Sequence, residues 1–402
     1  MQNKMTNLPQ GWEVKKLEEI ANIKGGKRLP KGKNLLDNNT KFAYIRVADF
    51  QDNGTINLQN IKFINENTYN VLKNYKIYDD NLYISIAGTI GKSGIIPKEL
   101  NGAILTENAV KLEYIQNNIS NKFMYFFTLS NIFKTQIQTS TKIVAQPKLA
   151  ITRLKQIQIP LPPLKEQERI VGILDESFAK IDESIKILEQ DLLNLDELMQ
   201  SALQKAFNPL KDNAKENYKL PQSWEWKSLE EISENISAGG DKPKNCTESK
   251  TAKNQIPVYA NGVNNNGLVG YTDKATIIKP SLTISARGTI GFVCIRKEPY
   301  FPIVRLISLI PCENILCLHY LYFCLNFFIA KGEGSSIPQL TIPKFKSLQI
   351  PLPPLKEQEQ IAEHLDFVFE KAKALKELYT KELKDYEELK QSLLNKAFKG
   401  EL

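Results

Sequence analysis

Apolar residues recur through the middle of the chain at Val171, Leu174, Phe178, Ile181, Ile185, Leu188, Leu192, Leu195, Met199 and Ala202. Their spacing alternates between three and four, which predicts a long helix carrying a coiled-coil seam. A second stretch keeps the helical period less regularly, through Val368, Ala372, Leu375, Tyr379, Leu383, Tyr386, Leu389 and Leu393. A stutter near Tyr379 is the simplest account of it. Each helix spans roughly 40 residues, or ~60 Å at ~1.5 Å per residue. One such helix alone would expose its seam, and the natural partner is the other.

The remaining sequence has a different rhythm. Short β-rich runs at 42–47, 82–87, 103–105, 282–286 and 301–310 are separated by Asn/Gly turns. Two apolar helical stretches, 122–133 and 315–330, carry aromatic residues suited to packing on a sheet or on the long helices. These regions are therefore read as mixed lobes of α+β class.

The halves repeat. Ile-Pro-Leu-Pro-Pro-Leu-Lys-Glu-Gln-Glu fills 159–168 and again 350–359, an offset of 191 that keeps 24 of 49 positions identical up to Phe207 and Phe398. Leu8-Pro9-Gln10-Gly11-Trp12-Glu13 returns as Leu220-Pro221-Gln222-Ser223-Trp224-Glu225, and Gly88-Thr89-Ile90-Gly91 as Gly288-Thr289-Ile290-Gly291. The chain reads as lobe, tail, lobe, tail over 1–158, 159–207, 208–349 and 350–402, the tails more alike than the lobes.

Its 402 residues suffice for two to four domains at ~100–200 residues each, and 42% hydrophobic with 24% charged residues is a globular composition. The most apolar run, 315–330, is broken by His319 and Asn326 and falls short of the ~20 residues that span a bilayer; residues 1–11 hold no apolar signal core. A soluble cytoplasmic protein is expected. Five cysteines without a C-x-x-C pair, and two histidines, argue against zinc, and no metal or cofactor is expected.

The net charge of +8 is segregated: +10 over 1–155, −5 over 156–207, +5 over 208–347 and −2 over 348–402. Two basic lobes on acidic helices look like polyanion-binding heads on a spacer, because phosphate neutralisation needs clustered cations. Solvated lysine-rich faces would give the same count.

Catalytic signatures are missing. The run Ala87-Gly88-Thr89-Ile90-Gly91-Lys92-Ser93 has Ile86 where a phosphate-binding loop needs its first glycine, and the second copy continues as Phe292-Val293, so both copies read as glycine turns between strands. Asn208-Pro209-Leu210 lacks the second proline and the aromatic residue of a methyltransferase motif. Candidate DNA contacts lie in glycine- and lysine-rich loops: Lys27, Arg28, Lys31, Lys33 and Arg46 in the first lobe, and Lys242, Lys244, Tyr259, Asn261 and Arg287 in the second. Lysine suits phosphate, arginine guanine and asparagine adenine. Ordinary surface turns have the same composition.

The twice-used Pro-Leu-Pro-Pro-Leu-x-Glu-Gln openings, the Lys-Ala-Phe helix ends, the Leu-Pro-x-x-Trp lobe openings and the Gly-Thr-Ile-Gly turns together resemble the specificity subunit of a type I restriction-modification system, over essentially the whole chain. That resemblance implies two mixed α/β target recognition domains, each reading half of a split, asymmetric double-stranded DNA site, held apart by the tails as an antiparallel coiled coil. It implies partners as well: two modification (methyltransferase) subunits and translocating restriction subunits, which carry the catalysis. Pro162, Pro163, Glu166 and Gln167, with Pro353, Pro354, Glu357 and Gln358, are then the expected partner-docking residues. A coiled-coil scaffold or adhesin-like bivalent binder without a DNA role is the competing class, and basic charge confined to the lobes speaks against it.

Overall fold

In the first lobe, β-rich runs pair into two four-stranded sheets. One is antiparallel, in the order Ala21–Gly25, Ala109–Tyr114, Leu82–Ser85, Ser93–Ile95. The other runs Lys62–Phe63, Ala43–Ile45, Ala103–Leu105, Lys76–Ile77, with its two central strands parallel. The second lobe repeats this plan. Its antiparallel sheet is ordered Ser233–Ala238, Ile307–Pro311, Ser281–Ile284, Val293–Arg296. Its other sheet, of three strands, is ordered Leu268–Thr272, Ile256–Tyr259, Phe301–Pro302, the last two parallel. The structure, a computed structural model, describes residues 8–140, 148–207, 221–329, 332–333 and 339–402; residues 1–7, Asn208, Pro209, Leu210, Leu220 and Ala330 of the sequence reading lie outside them.

Two expected elements are broken. The run 301–310 divides at Val304 and Arg305, whose φ angles of +53° and +59° turn the chain, and Leu306 N–H closes on the Ile303 carbonyl at 3.0 Å. The aromatic stretch 122–133 becomes two helices, Asn121–Leu129 and Asn131–Ser140. Ser130 stands between them in an extended conformation, donating to the Phe127 carbonyl (2.7 Å) and accepting from Phe133 N–H (3.3 Å).

The repeated sequence openings are partner strands. Glu13–Lys16, which follows the first tryptophan opening, pairs antiparallel with Gln158–Leu161, and Glu225–Ser228 pairs likewise with Gln349–Leu352. Each Pro-Pro step then fixes the entry into a long helix, Leu164–Phe207 of 44 residues and Leu355–Ala397 of 43.

The chain divides into two compact units, Met1–Leu188 with Lys381–Leu402, and Glu189–Thr380. Each unit thus holds one lobe and a piece of both helices. In the first, Ile170, Leu174, Leu394, Ala397 and Phe398 join the lobe's core, and the Phe398 ring lies 5.1 Å from Phe123 and 5.5 Å from Phe127. In the second, Leu203, Phe207, Ala362 and Leu365 share a core with the helix Leu318–Phe328, and Phe207 lies 5.7 Å from Tyr320. This explains the Lys-Ala-Phe endings: the phenylalanine that closes each long helix, Phe207 or Phe398, is buried in the lobe that precedes the other helix. Burying such a ring contributes on the order of 2–3 kcal/mol.

Within each unit the helices run antiparallel. Lys390 pairs with Asp182 at 2.6 Å in the first unit, and beyond it the Leu402 carbonyl accepts from Arg169 at 2.8 Å. In the second, Lys376 bonds to Asp196, while Leu365 and Ala362, nearer the start of their helix, meet Leu203 and Phe207 near the end of theirs. The seam residues expected in the first helix are all buried or half-buried. The second helix departs from expectation. Leu375 and Leu389 are 38% and 45% exposed, while buried and half-buried positions at 365, 369, 372, 376, 379, 383, 386, 390, 393 and 397 form one series along the helix. That series alternates four and three throughout and needs no stutter; Lys376 and Lys390 occupy it with their aliphatic stems.

Candidate nucleic-acid interface

In the first lobe the glycine loop is anchored at its root. Gly26 N–H donates to the Ala109 carbonyl (3.0 Å) and Lys27 N–H to the Leu105 carbonyl (2.8 Å), and a Cβ on Gly26 would collide with the Thr106 and Leu105 carbonyls. Arg28 reaches Glu107 at 2.6 Å. Burial pushes the Glu107 carboxyl up, but hydrogen bonds from Arg28 and Thr106 and the guanidinium charge hold it below the usual carboxylate value. Lys27 sits 5.8 Å from the Tyr75 ring, and its carbonyl accepts from the Tyr44 hydroxyl (2.8 Å). Lys31 and Lys33 are exposed and form no ion pair among the described residues. Arg46, by contrast, is bound to Asp49 at 2.5 Å and to the Asn60 carbonyl at 3.1 Å, and Asp49 is 1% exposed. Its charge is therefore compensated internally. Lys24 and Lys111 share Glu113, at 2.5 and 2.6 Å, so part of the lobe's positive count is neutralised as well.

In the second lobe Asn261 joins three loops. Its side chain donates to the Val304 carbonyl (2.6 Å) and accepts from Ala286 N–H (2.8 Å), while the next residue, Gly262, donates to Ser285 Oγ (3.3 Å). Both functions of the amide are engaged within the lobe, so Asn261 organises the surface on which Arg287 stands. The adjoining Gly-Thr-Ile-Gly turns are built alike in both lobes: Gly91 N–H reaches the Ser85 carbonyl and Gly291 N–H the Ser285 carbonyl, each at 2.9 Å. Arg287 and Arg305 line one cleft of about 420 Å³ beside Gly239, and neither forms an ion pair among the described residues. Gly239 is required there, because a Cβ would lie 2.6 Å from Ile303 N. Lys242 and Lys244 are exposed on the following turn, apart from this cleft. Tyr259 carries the Arg296 guanidinium 3.6 Å above its ring.

Sequence reading missed Arg305 because it lies in an apolar run, and missed Arg296 because a lone arginine on a strand carries no signal. The run Asn264-Asn265-Asn266-Gly267 does carry one, as a turn sequence whose asparagines tolerate the left-handed region.

The family model described as the type I restriction modification DNA specificity domain matches residues 9–192 and again 221–384. The chain belongs to that family. A Mycoplasma pneumoniae protein named as a type I specificity subunit is 29% identical over 357 residues, covering 87% of each chain. The StySPI specificity subunit of Salmonella potsdam is 23% identical over 436 residues, covering 98% of this chain and 90% of its own. The HsdS subunit of Thermoanaerobacter tengcongensis shares the fold with a TM-score of 0.64 at 21% identity over the full length of both chains. A chain from a structure describing complex assembly and conformational transition of the type I R-M system gives 0.79 at 20% identity, covering 98% and 100%.

In this type I specificity chain the Pro-Pro-Leu-x-Glu-Gln segments have a clear local geometry. Gln167 is buried; its amide donates to the Pro162 and Asn118 carbonyls (2.9 and 3.1 Å) and accepts from Ser120 N–H (2.9 Å). Gln358 repeats this with Pro353, Ile315 and Cys317 N–H at 2.8, 2.9 and 2.9 Å. Pro162 and Pro353 are buried beneath, whereas Pro163 and Pro354 are exposed. Glu166 is paired with Arg169 at 2.7 Å, which holds its carboxyl below the usual value, and Glu357 accepts from the Trp224 indole at 3.0 Å. Among the described residues no group of three or more His, Cys, Asp or Glu side chains could hold a metal, and no helix is long and apolar enough to cross a membrane.

Proposed function

We propose that the chain is the non-catalytic specificity subunit of a cytoplasmic type I restriction-modification complex, recognising a bipartite, asymmetric DNA target. Residues 1–158 and 208–349 are the two target recognition domains, and 159–207 with 350–402 are spacer helices that also dock two methyltransferase subunits and the restriction subunits. The observation that carries this reading is the pairing of one strand plan with two different loop sets. Both lobes set their Gly-Thr-Ile-Gly turns by the same hydrogen bond. Yet the first lobe exposes Lys31 and Lys33 on its glycine-rich loop and has Ala87 at the place where the second carries Arg287, which lines a cleft together with Arg305. Equivalent scaffolds with unlike reading surfaces suit two unlike half-sites, while the equivalent Pro163 and Pro354 corners suit two like partners.

Lobe exchange tests it. Replacing 208–349 by the matching lobe of a related protein, while keeping Phe207, Ala362 and Leu365 that pack into its core, should change one half of the methylated target and leave the other intact. Change in both halves defeats the independent-reader model. Methyl transfer by the purified chain alone would contradict the non-catalytic assignment.

A further inference from the structure

The turn following Asn261 is both exposed and held rigidly. Val263, Asn264, Asn265 and Asn266 all face solvent. Asn265 and Asn266 take φ angles of +48° and +51°, a conformation uncommon for any residue with a side chain. Two backbone bonds close the turn, Asn266 N–H to the Val263 carbonyl at 3.0 Å and Ala260 N–H to the Gly267 carbonyl at 2.8 Å. A Cβ on Gly267 would strike the Ala260 carbonyl, so the closing residue must be glycine.

Beneath the turn lies an arginine with an unusual set of partners. Arg296 is 8% exposed and forms no ion pair among the described residues. Its guanidinium is stacked on Tyr259 and donates to Thr283 Oγ1 (3.0 Å) and to the Asn266 carbonyl (2.5 Å). A buried cation without a counter-charge is costly, so this arrangement persists because the packed sheet beneath holds it. Its link to the surface is the carbonyl of the left-handed Asn266. The geometry fixes that turn before any ligand arrives.

Resting on the reading of this lobe as a DNA reader, we propose that residues 263–266 form a preorganised finger that reads an A·T base pair in the major groove. Asn264 and Asn265 are its specificity-determining side chains, and Arg296 with Tyr259 are positioning residues. A carboxamide matches adenine N6 and N7 with one donor and one acceptor, and the exposed Val263 offers an apolar surface to a thymine methyl. Unlike Asn261, neither Asn264 nor Asn265 has its amide engaged by another group among the described residues.

The test uses the full chain assembled with the methyltransferase subunits, presented with a pool of duplexes randomised across both half-sites. The unaltered protein should select an A·T pair at one position of the second half-site. N264A combined with N265G, the glycine keeping the left-handed backbone, should lose roughly 5- to 150-fold of preference at that position and keep the first half-site. R296K, which retains charge but not the planar stack, should weaken preference at the same position without lowering helical content. If all variants select the same sequences as the unaltered protein, the finger is overturned and the lobe-by-lobe reading stands. If the lost preference is for G·C, the adenine assignment falls. If the unaltered complex selects no sequence, both the finger and the reading on which it rests fall.

Discussion

Lys390 lies in the seam of the second long helix and sends its ammonium to Asp182 of the first at 2.6 Å, its side chain only 16% exposed. Lys376, two heptads earlier, makes the matching bond to Asp196, two heptads after Asp182. Charged residues within a seam specify orientation and register more than they stabilise. K390E should therefore lower thermal stability, and adding D182K should restore part of it. A double-mutant cycle should return a coupling of about 0.5–1 kcal/mol. Zero coupling would mean that the pair merely decorates the helix surface.

These lysines also mark where sequence reading stopped. The apolar pattern selected Leu375 and Leu389, which are exposed, and so required a stutter; their neighbours fill the seam with methylene stems that no hydropathy pattern counts. The first helix was legible because its seam is wholly apolar. The strand run 301–310 was misread because nothing about Val304 advertises a left-handed backbone, which β-branched residues avoid. The candidate site was legible as loops, while its internal bonds were not. Arg46 and Asn261 looked free in sequence, and only folding brings Asp49, Val304 and Ala286 against them.

Gln167 and Gln358 should each be needed by their own unit. Q167A leaves Ser120 N–H and the Asn118 and Pro162 carbonyls without the amide. One buried polar group left unpaired costs roughly 1–3 kcal/mol. Urea unfolding should show at least that loss, with hydrogen-exchange protection falling first in the first unit. For Q358A it should fall first in the second. A loss under ~0.5 kcal/mol would show that water replaces the amide at no cost.

Arg46 and the lysine pair should separate stability from binding. R46A strands the buried Asp49 carboxylate and should cost about 1.5–3 kcal/mol, the range for hydrogen bonds to charged groups. K31A combined with K33A should leave unfolding unchanged and flatten the salt dependence of DNA binding, by a log–log slope of ~0.9 for each phosphate that the two lysines neutralise. An unchanged slope would make those two lysines a solvated turn.

Glu113 should set part of the acid limb of stability. Burial pushes its carboxyl up, but hydrogen bonds from Lys111 and Lys24 outweigh that and leave it below the ordinary 4.5. A carboxyl lowered on folding stabilises fully above its unfolded value, and that contribution is lost as pH falls through the folded value. The unaltered protein should therefore lose stability more steeply than E113Q below about pH 4.5. Parallel profiles for the two proteins would refute the coupling.

The chain passes from one compact unit to the other after Leu188 and again after Thr380, both inside long helices. One heptad inserted at each point keeps the three-four seam and leaves the core packing of each unit untouched. Seven residues lengthen each helix by ~10 Å. That corresponds to about three base pairs at ~3.4 Å each. Because DNA turns once in ~10 base pairs, the second half-site would also be rotated by roughly a third of a turn, out of reach of a reader fixed to one groove. The insertion variant should stay helical and assemble with the methyltransferase subunits, yet stop methylating the original site, as mapped by methylation-sensitive sequencing. A target whose halves are unchanged but lie about three base pairs further apart is the expected replacement only if the helices tolerate the rotation. Undiminished methylation of the original site by a folded, assembled variant would show that the helices do not set the spacing.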